Sequence, residues 1–206
     1  MGVRGLARSA IVSAAAIVLA SSPARAQLVT FSTSRSFGGG SCAASFCSFG
    51  GFVLEWSGVN AAAWLPPADV TLGDFKLTCY LGPCDGSSIN GASNFVLTIS
   101  QNGPTSGSGS ISGALGWNGG SGTLSWTPNQ SGVTIGGTTY SLTETGTGCA
   151  VVNTECINIG LPNGINTPAF TDVKDDVTTT PEPAAVALMA TGIVGLIPIA
   201  RRRRNA

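Results

Sequence analysis

Phe95-Val96-Leu97-Thr98-Ile99, closed by Asn102-Gly103-Pro104, carries the strongest structural signal in the chain. Phe95, Leu97 and Ile99 fall on one side and Val96 and Thr98 on the other, the period of a half-buried strand. The same period recurs in both directions. Downstream come Ile111, Gly113, Leu115 and Trp117, then Leu124 and Trp126, with residues 118–122 as the turn between. Val133 and Ile135 precede Gly136-Gly137, a two-residue hairpin signal, and Tyr140 and Leu142 answer on the far side. A last short run covers Cys156 to Gly160. Upstream, Val70 and Leu72 alternate, and so do Phe75, Leu77 and Cys79, but the two sets are out of phase. A β-bulge at Gly73-Asp74 is the expected remedy. Phe52, Leu54 and Trp56 share a face opposite Val53 and Glu55, and Val29 and Phe31 share one within residues 28–34. Gly38 to Gly40 reads as a turn, and Ala61 to Pro67 as a connection ended by its two prolines. About nine short strands separated by Gly, Ser, Asn and Pro turns predict an all-β chain, a single β-sandwich or barrel-like domain.

The six cysteines fall in three close pairs, Cys42 and Cys47, Cys79 and Cys84, Cys149 and Cys156. In an exported chain an even count reads as disulfides, and local pairing is the simplest of the 15 connectivities that six cysteines allow. Each small loop then stabilises by roughly 2 kcal/mol. A four-thiolate metal site from the two C-x4-C pairs is the competing reading, and an oxidising compartment disfavours it.

The two ends differ from the middle. Arg4 and Arg8 precede an apolar run from Ala10 to Ala20, and Ala24-Arg25-Ala26 has the form of a signal-peptidase cleavage site. Residues 1–26 are therefore expected to be a signal peptide, read by the secretion machinery and signal peptidase, with Gln27 the first mature residue. At the other end Ala184 to Ala200 is 17 residues without a charge. As a helix it reaches about 26 Å, the short end of what crosses a membrane. Arg201, Arg202, Arg203 and Arg204 follow at once and resist translocation, which leaves the rest of the chain outside. A plain membrane anchor accounts for this segment on physical grounds alone.

Directly before the apolar segment stands Pro181-Glu182-Pro183, where each proline disfavours helix in the residue before it. Tripeptide, short apolar helix and arginine cluster, in that order, resemble the PEP-CTERM sorting tail of Gram-negative bacteria. The resemblance covers Pro181 to Arg204. It implies that an exosortase, a membrane-embedded cysteine transpeptidase, cuts near the tripeptide and releases or re-attaches the outer part. The family's association with exopolysaccharide and biofilm implies a role at the cell surface or in the matrix.

Between the ends, residues 27–170 are expected to form the β domain and residues 171–180, polar and acidic, a linker. Over Gln27 to Thr180 three bases face nine acids, a net charge of −6. Such a domain does not attract nucleic acid.

The chain has no histidine, which removes the Ser-His-Asp and Cys-His arrangements and every histidine-ligated metal site. No carboxylate pair for glycoside hydrolysis is evident, and Glu55, Glu144 and Glu155 read as solvated strand residues. Asp172, Asp175 and Asp176 do not have the spacing of a calcium loop, so no metal or cofactor is expected. Gly107, Gly109 and Gly113 lack the helix and lysine of a phosphate loop. Trp56, Trp117 and Trp126 share faces with apolar neighbours and read as core. Trp64, in its proline-flanked loop, is the residue most suited to stack on a sugar ring. A non-enzymatic exported protein is the leading expectation, and a carbohydrate-binding module using Trp64 the alternative.

Overall fold

The computed structural model describes residues 27–40, 42–43, 45–89, 91–118, 123–143 and 155–180. The expected signal peptide with Ala24 and Ala26, the tripeptide, the apolar segment 184–200 and the arginine cluster lie outside those residues. Residues 27–179 form one compact unit.

The described residues hold thirteen strands and no helix. One sheet has six strands: β12 (Ile157–Ile159), β9 (Thr123–Pro128), β8 (Gly107–Asn118), β7 (Ala92–Gly103), β1 (Val29–Gly38) and β5 (Ala62–Trp64), in that spatial order. The other has seven: β10 (Gly132–Ile135), β11 (Thr138–Leu142), β13 (Pro168–Thr179), β6 (Ala68–Cys79), β4 (Phe52–Gly58), β3 (Phe46–Phe49) and β2 (Cys42–Ala43). Pairing along both sheets is antiparallel, so each strand can bury one face and wet the other.

Except on the last long strand, the buried set follows the alternation read from the sequence. Phe95, Leu97 and Ile99 are fully buried, as are Ile111, Leu115, Leu124 and Trp126 on the same sheet. Phe52, Leu54, Phe75, Leu77, Val173 and Val177 supply the opposing layer. The two layers meet through aromatic rings. Phe95 lies 4.8 Å from Phe75, 5.2 Å from Trp56 and 5.1 Å from Trp126, all in tilted or edge contacts that suit ring quadrupoles. Trp117 is half-buried over Gly86, where a Cβ would stand 2.1 Å from the indole.

The phase break in β6 is resolved by a bulge. Val173 pairs with Gly73 and Lys174 with Thr71, so Leu72 is the extra residue, and Leu72 and Gly73 are both buried. Gly73 has φ +144°, and a Cβ there would lie 2.5 Å from the Trp56 ring and from the Ser57 carbonyl oxygen. No other residue type fits. Gly136 (φ 54°) and Gly137 (φ 81°) make the tight turn between β10 and β11, both in the left-handed region that glycine tolerates.

Cys42–Cys47 and Cys79–Cys84 are both disulfides. The first joins directly opposed residues of β2 and β3; the buried Ser93 hydroxyl of β7 lies 2.7 Å from Cys42 Sγ and donates to the Gly38 carbonyl of β1 at 2.8 Å. Cys156 is disulfide-bonded as well; its expected partner Cys149 lies outside the described residues.

Two sequence expectations are corrected. Residues 171–180 are not a linker: Pro168–Thr179 is strand β13, hydrogen-bonded between β11 and β6 in the interior of its sheet. Its inward positions Val173 and Val177 are fully buried, but the third, Asp175, is acidic and hides the period. Ala61 to Pro67 is not wholly a connection either. Ala62–Trp64 pairs with β1 as a short edge strand.

Candidate functional site

The site grows out of the way β4 ends. Gly58 is its last residue paired with β6, opposite Gly73 at the bulge. The chain then leaves the seven-stranded sheet and reaches the edge of the six-stranded one as β5. Thr33 of β1 holds the departure point. Its hydroxyl accepts from the Val59 N–H at 2.9 Å, donates to the Leu72 carbonyl, and its own N–H reaches the Val59 carbonyl at 2.9 Å. On the far edge the Ser32 hydroxyl accepts from the Ala61 N–H at 3.0 Å.

This crossover leaves an open cleft of about 610 Å³. Val59, Ala62 and Trp64 line it from the crossover side, and Asp69, Val70 and Thr71 from β6. Thr143 and Lys174 complete it. Thr71 pairs directly with Lys174, and the Thr143 N–H donates to the Lys174 carbonyl at 2.9 Å. The three side chains therefore form one row across β6, β13 and the end of β11. Trp64 is 43% exposed, so the ring is available at the rim. One wall is apolar and aromatic; the floor offers an acid, a base and two hydroxyls. That combination suits a ligand with an apolar face and a hydroxylated edge.

Trp64 was legible in the sequence. Its companions Thr143 and Lys174 were not, because the latter sits in the segment that reads as a linker. The remaining tryptophans are where their periodicity puts them: Trp56 and Trp126 are buried, and Trp117 packs against the core.

Two carboxylates do face each other on the outer side of this sheet. Asp74 and Asp172 are directly opposed across β6 and β13. Burial first, and then the hydrogen bond and charge of Asp172, raise the Asp74 carboxyl above the usual carboxylate range. Side chains in hydrogen-bonding contact leave no room for a sugar between them, whereas glycosidases hold their carboxyls about 5 Å or more apart. The pair lacks the separation of a glycosidase acid pair. Glu55 is bound to Lys76 at 2.9 Å across β4 and β6, both half-exposed. The Ser87 hydroxyl first, and then the Ser87 N–H, which donates to Asp85 at 2.9 Å, hold the Asp85 carboxyl below the usual range within its own turn. Among the described residues no three His, Cys, Asp or Glu side chains gather into a metal site.

The described residues thus define an all-β, disulfide-bonded domain with an open, tryptophan-rimmed cleft. The chain's particular kinship lies at its C-terminus, where residues 179–204 match the family model of the PEP-CTERM protein-sorting motif. That motif marks an exported protein sorted by an exosortase. No curated protein matches the chain. The match begins at Thr179, the last residue of β13, so a single residue separates the sheet from Pro181-Glu182-Pro183.

Proposed function

We propose that this is a non-enzymatic surface or matrix protein. Its β domain binds a saccharide in the cleft beside Trp64, and its C-terminal motif delivers the domain to the cell exterior for association with exopolysaccharide. The observation that carries the binding half is the juxtaposition of an exposed indole with the Thr71–Lys174–Thr143 row. A pyranose ring presents C–H bonds on its faces and hydroxyls around its edge. Its face stacks on the indole while its edge meets Asp69, Thr71 and Thr143. Catalysis has no support in the residues: the chain has no histidine, and its facing acids touch each other.

The delivery half rests on the sorting motif. In this reading the arginine cluster holds the apolar segment in the inner membrane with the domain outside, and the exosortase cuts near the tripeptide. Cleavage removes the anchor and frees the domain for the surface. A glycan array probed with the exported, disulfide-bonded protein tests the binding half. Binding that disappears in Trp64→Ala, with unchanged thermal unfolding, locates it in the cleft; binding indifferent to Trp64, or none, refutes it.

A further inference from the structure

The chain enters and leaves the β domain at the same end of the two sheets. β13 finishes at Thr179, paired with Thr138, and two residues earlier Val177 pairs with Ala68, the first residue of β6. Residues 65–67 lead from Ala68 back to Trp64, which pairs with Val29 at the start of β1. Thr30 in turn faces Gly103, where β7 ends. The β7–β8 turn lies against the β10–β11 turn: a Cβ on Gly136 would stand 2.5 Å from the Thr105 Cβ. Five segments therefore share this end, residues 27–28, 64–68, 102–107, 136–138 and 178–180. None of their side chains is charged, in a domain of net charge −6. Leu28 and Leu65, each one residue beyond the Val29–Trp64 pair, are 54% and 58% exposed, and Trp64 is exposed beside them.

We propose that this uncharged end rests on the lipid surface of the membrane while the chain is still tethered, with Leu28, Trp64 and Leu65 in the headgroup layer. The inference rests on the delivery half of the reading above and adds what the domain touches before it is cut. Tether length selects the occupant. From Thr179 to Ala184, the first residue of the apolar segment, is five residue steps, at most about 17 Å when fully extended. Crossing the polar headgroup layer takes about 6 Å of that. The other exposed apolar cluster, Tyr80, Leu81 and Ile165, sits by Cys79 at the opposite end of β6. Cys79 is eleven residues from Ala68, about 36 Å along the strand and beyond the reach of the tether. The chemistry of the near end agrees. An indole suits the membrane interface, where its ring is buried and its N–H stays wet. With no charged side chain in the five segments, contact with headgroups strips water from no ion; the first acids, Asp69 and Asp176, stand one residue further up their strands, opposite each other. Three side chains make a weak contact by themselves, and a short tether makes it effective by holding them at high local concentration over the lipid. Cutting near the tripeptide ends that contact, so Trp64 lies in lipid before the cut and is free for the cleft after it.

The test uses the exported, disulfide-bonded and uncut chain, produced in a host without exosortase and reconstituted into phosphatidylethanolamine vesicles containing lipids brominated on their acyl chains. Flotation with the vesicles reports insertion of the tail. Bromine quenches nearby indoles, and residues 181–206 contain no tryptophan. Part of the indole emission is expected to be quenched in wild type, and that quenching to be lost in Trp64→Phe, because Trp56 and Trp126 are buried and Trp117 lies over Gly86. Leu28→Ser combined with Leu65→Ser is expected to weaken the quenching, and Leu81→Ser combined with Ile165→Ser to leave it as in wild type. All four leucine and isoleucine positions are exposed, so both double variants should keep the wild-type thermal unfolding. A wild-type chain that floats but is not quenched, quenching that survives Trp64→Phe, or equal quenching in the two double variants would each overturn the proposal while leaving the anchored tail intact. A chain that does not float with the vesicles sinks the delivery reading itself.

Discussion

Asp175 stands directly opposite Val70 in the pairing of β13 with β6, its carboxyl wholly buried and with no donor in hydrogen-bonding geometry to either oxygen. Burial first, and the neighbouring Asp176 carboxylate second, push its pKa up to about 8; the backbone N–H groups of Asp176 and Ser141 pull the other way, but from outside hydrogen-bonding geometry they do not offset the burial. The same burial, with the charge of Asp175, raises the Tyr140 phenol, whose hydroxyl donates to Gln101 Oε1 at 2.8 Å. At neutral pH the fold therefore carries Asp175 as the uncharged acid.

Stability should fall with rising pH through this group. In the unfolded chain Asp175 ionises near pH 4; in the fold it keeps its proton until about pH 8. Between those values the folded state binds the extra proton, so stability declines by up to ~1.4 kcal/mol per pH unit and levels off above pH 8. Urea unfolding at pH 5, 7 and 9 should show a steep loss in wild type and a flatter profile in Asp175→Asn. The variant should be the more stable form at pH 9 by a few kcal/mol. Parallel profiles would place the pH dependence elsewhere.

Deleting residues 171–180 separates a strand from a tether. A linker can be shortened without consequence for the domain. Removing β13 strips β6 and β11 of their common partner and exposes the core under Val173 and Val177. Loss of the cooperative thermal transition is the expected outcome, and a transition that survives would contradict the sheet order.

The aromatic core gives a sharper version of the same test. Leu97→Asp buries a charge at a fully enclosed position, and Trp126→Ser leaves a void beside Phe95. Each should cost about 3 kcal/mol or more, enough to unfold a domain of ordinary stability. Circular dichroism melts report it directly.

Gly73→Ala tests the bulge. An added Cβ meets the Trp56 ring and the Ser57 carbonyl at 2.5 Å in a backbone region that alanine avoids. A loss of about 2 kcal/mol or more is expected, without change in the disulfides. Gly38→Ala, where a Cβ meets nothing within 4 Å, is the control.

Processing is read from the mass and membrane location of the mature protein in its own host. Glu182→Ala and Pro183→Ala should leave insertion intact and accumulate a slightly heavier, membrane-bound form. Serine at all four of Arg201 to Arg204 should weaken retention itself. A wild-type protein that keeps residues 184–200 and stays in the inner membrane would make the tail an ordinary anchor.

The alternation along each strand told which side chains face inward, because successive residues of a strand point to opposite faces whatever its neighbours are. Phe95, Leu97, Ile99 and Trp126, the bulge near Gly73, the Gly136-Gly137 turn and the pairs Cys42–Cys47 and Cys79–Cys84 were all readable on that local basis, and so was the sorting tail. Local period does not say which strand lies beside which. The position of β13 between β6 and β11 follows from burial summed over the whole sheet, and its own inward face, interrupted by Asp175, announced it poorly. The neighbours that line the cleft are of that second kind. Trp64 shares the cleft with Thr71 and Lys174 because β4 stops at the bulge and the chain crosses to the other sheet; Asp74 meets Asp172 through strand pairing alone. These are contacts between distant parts of the chain, and only the packing of the two sheets brings them together.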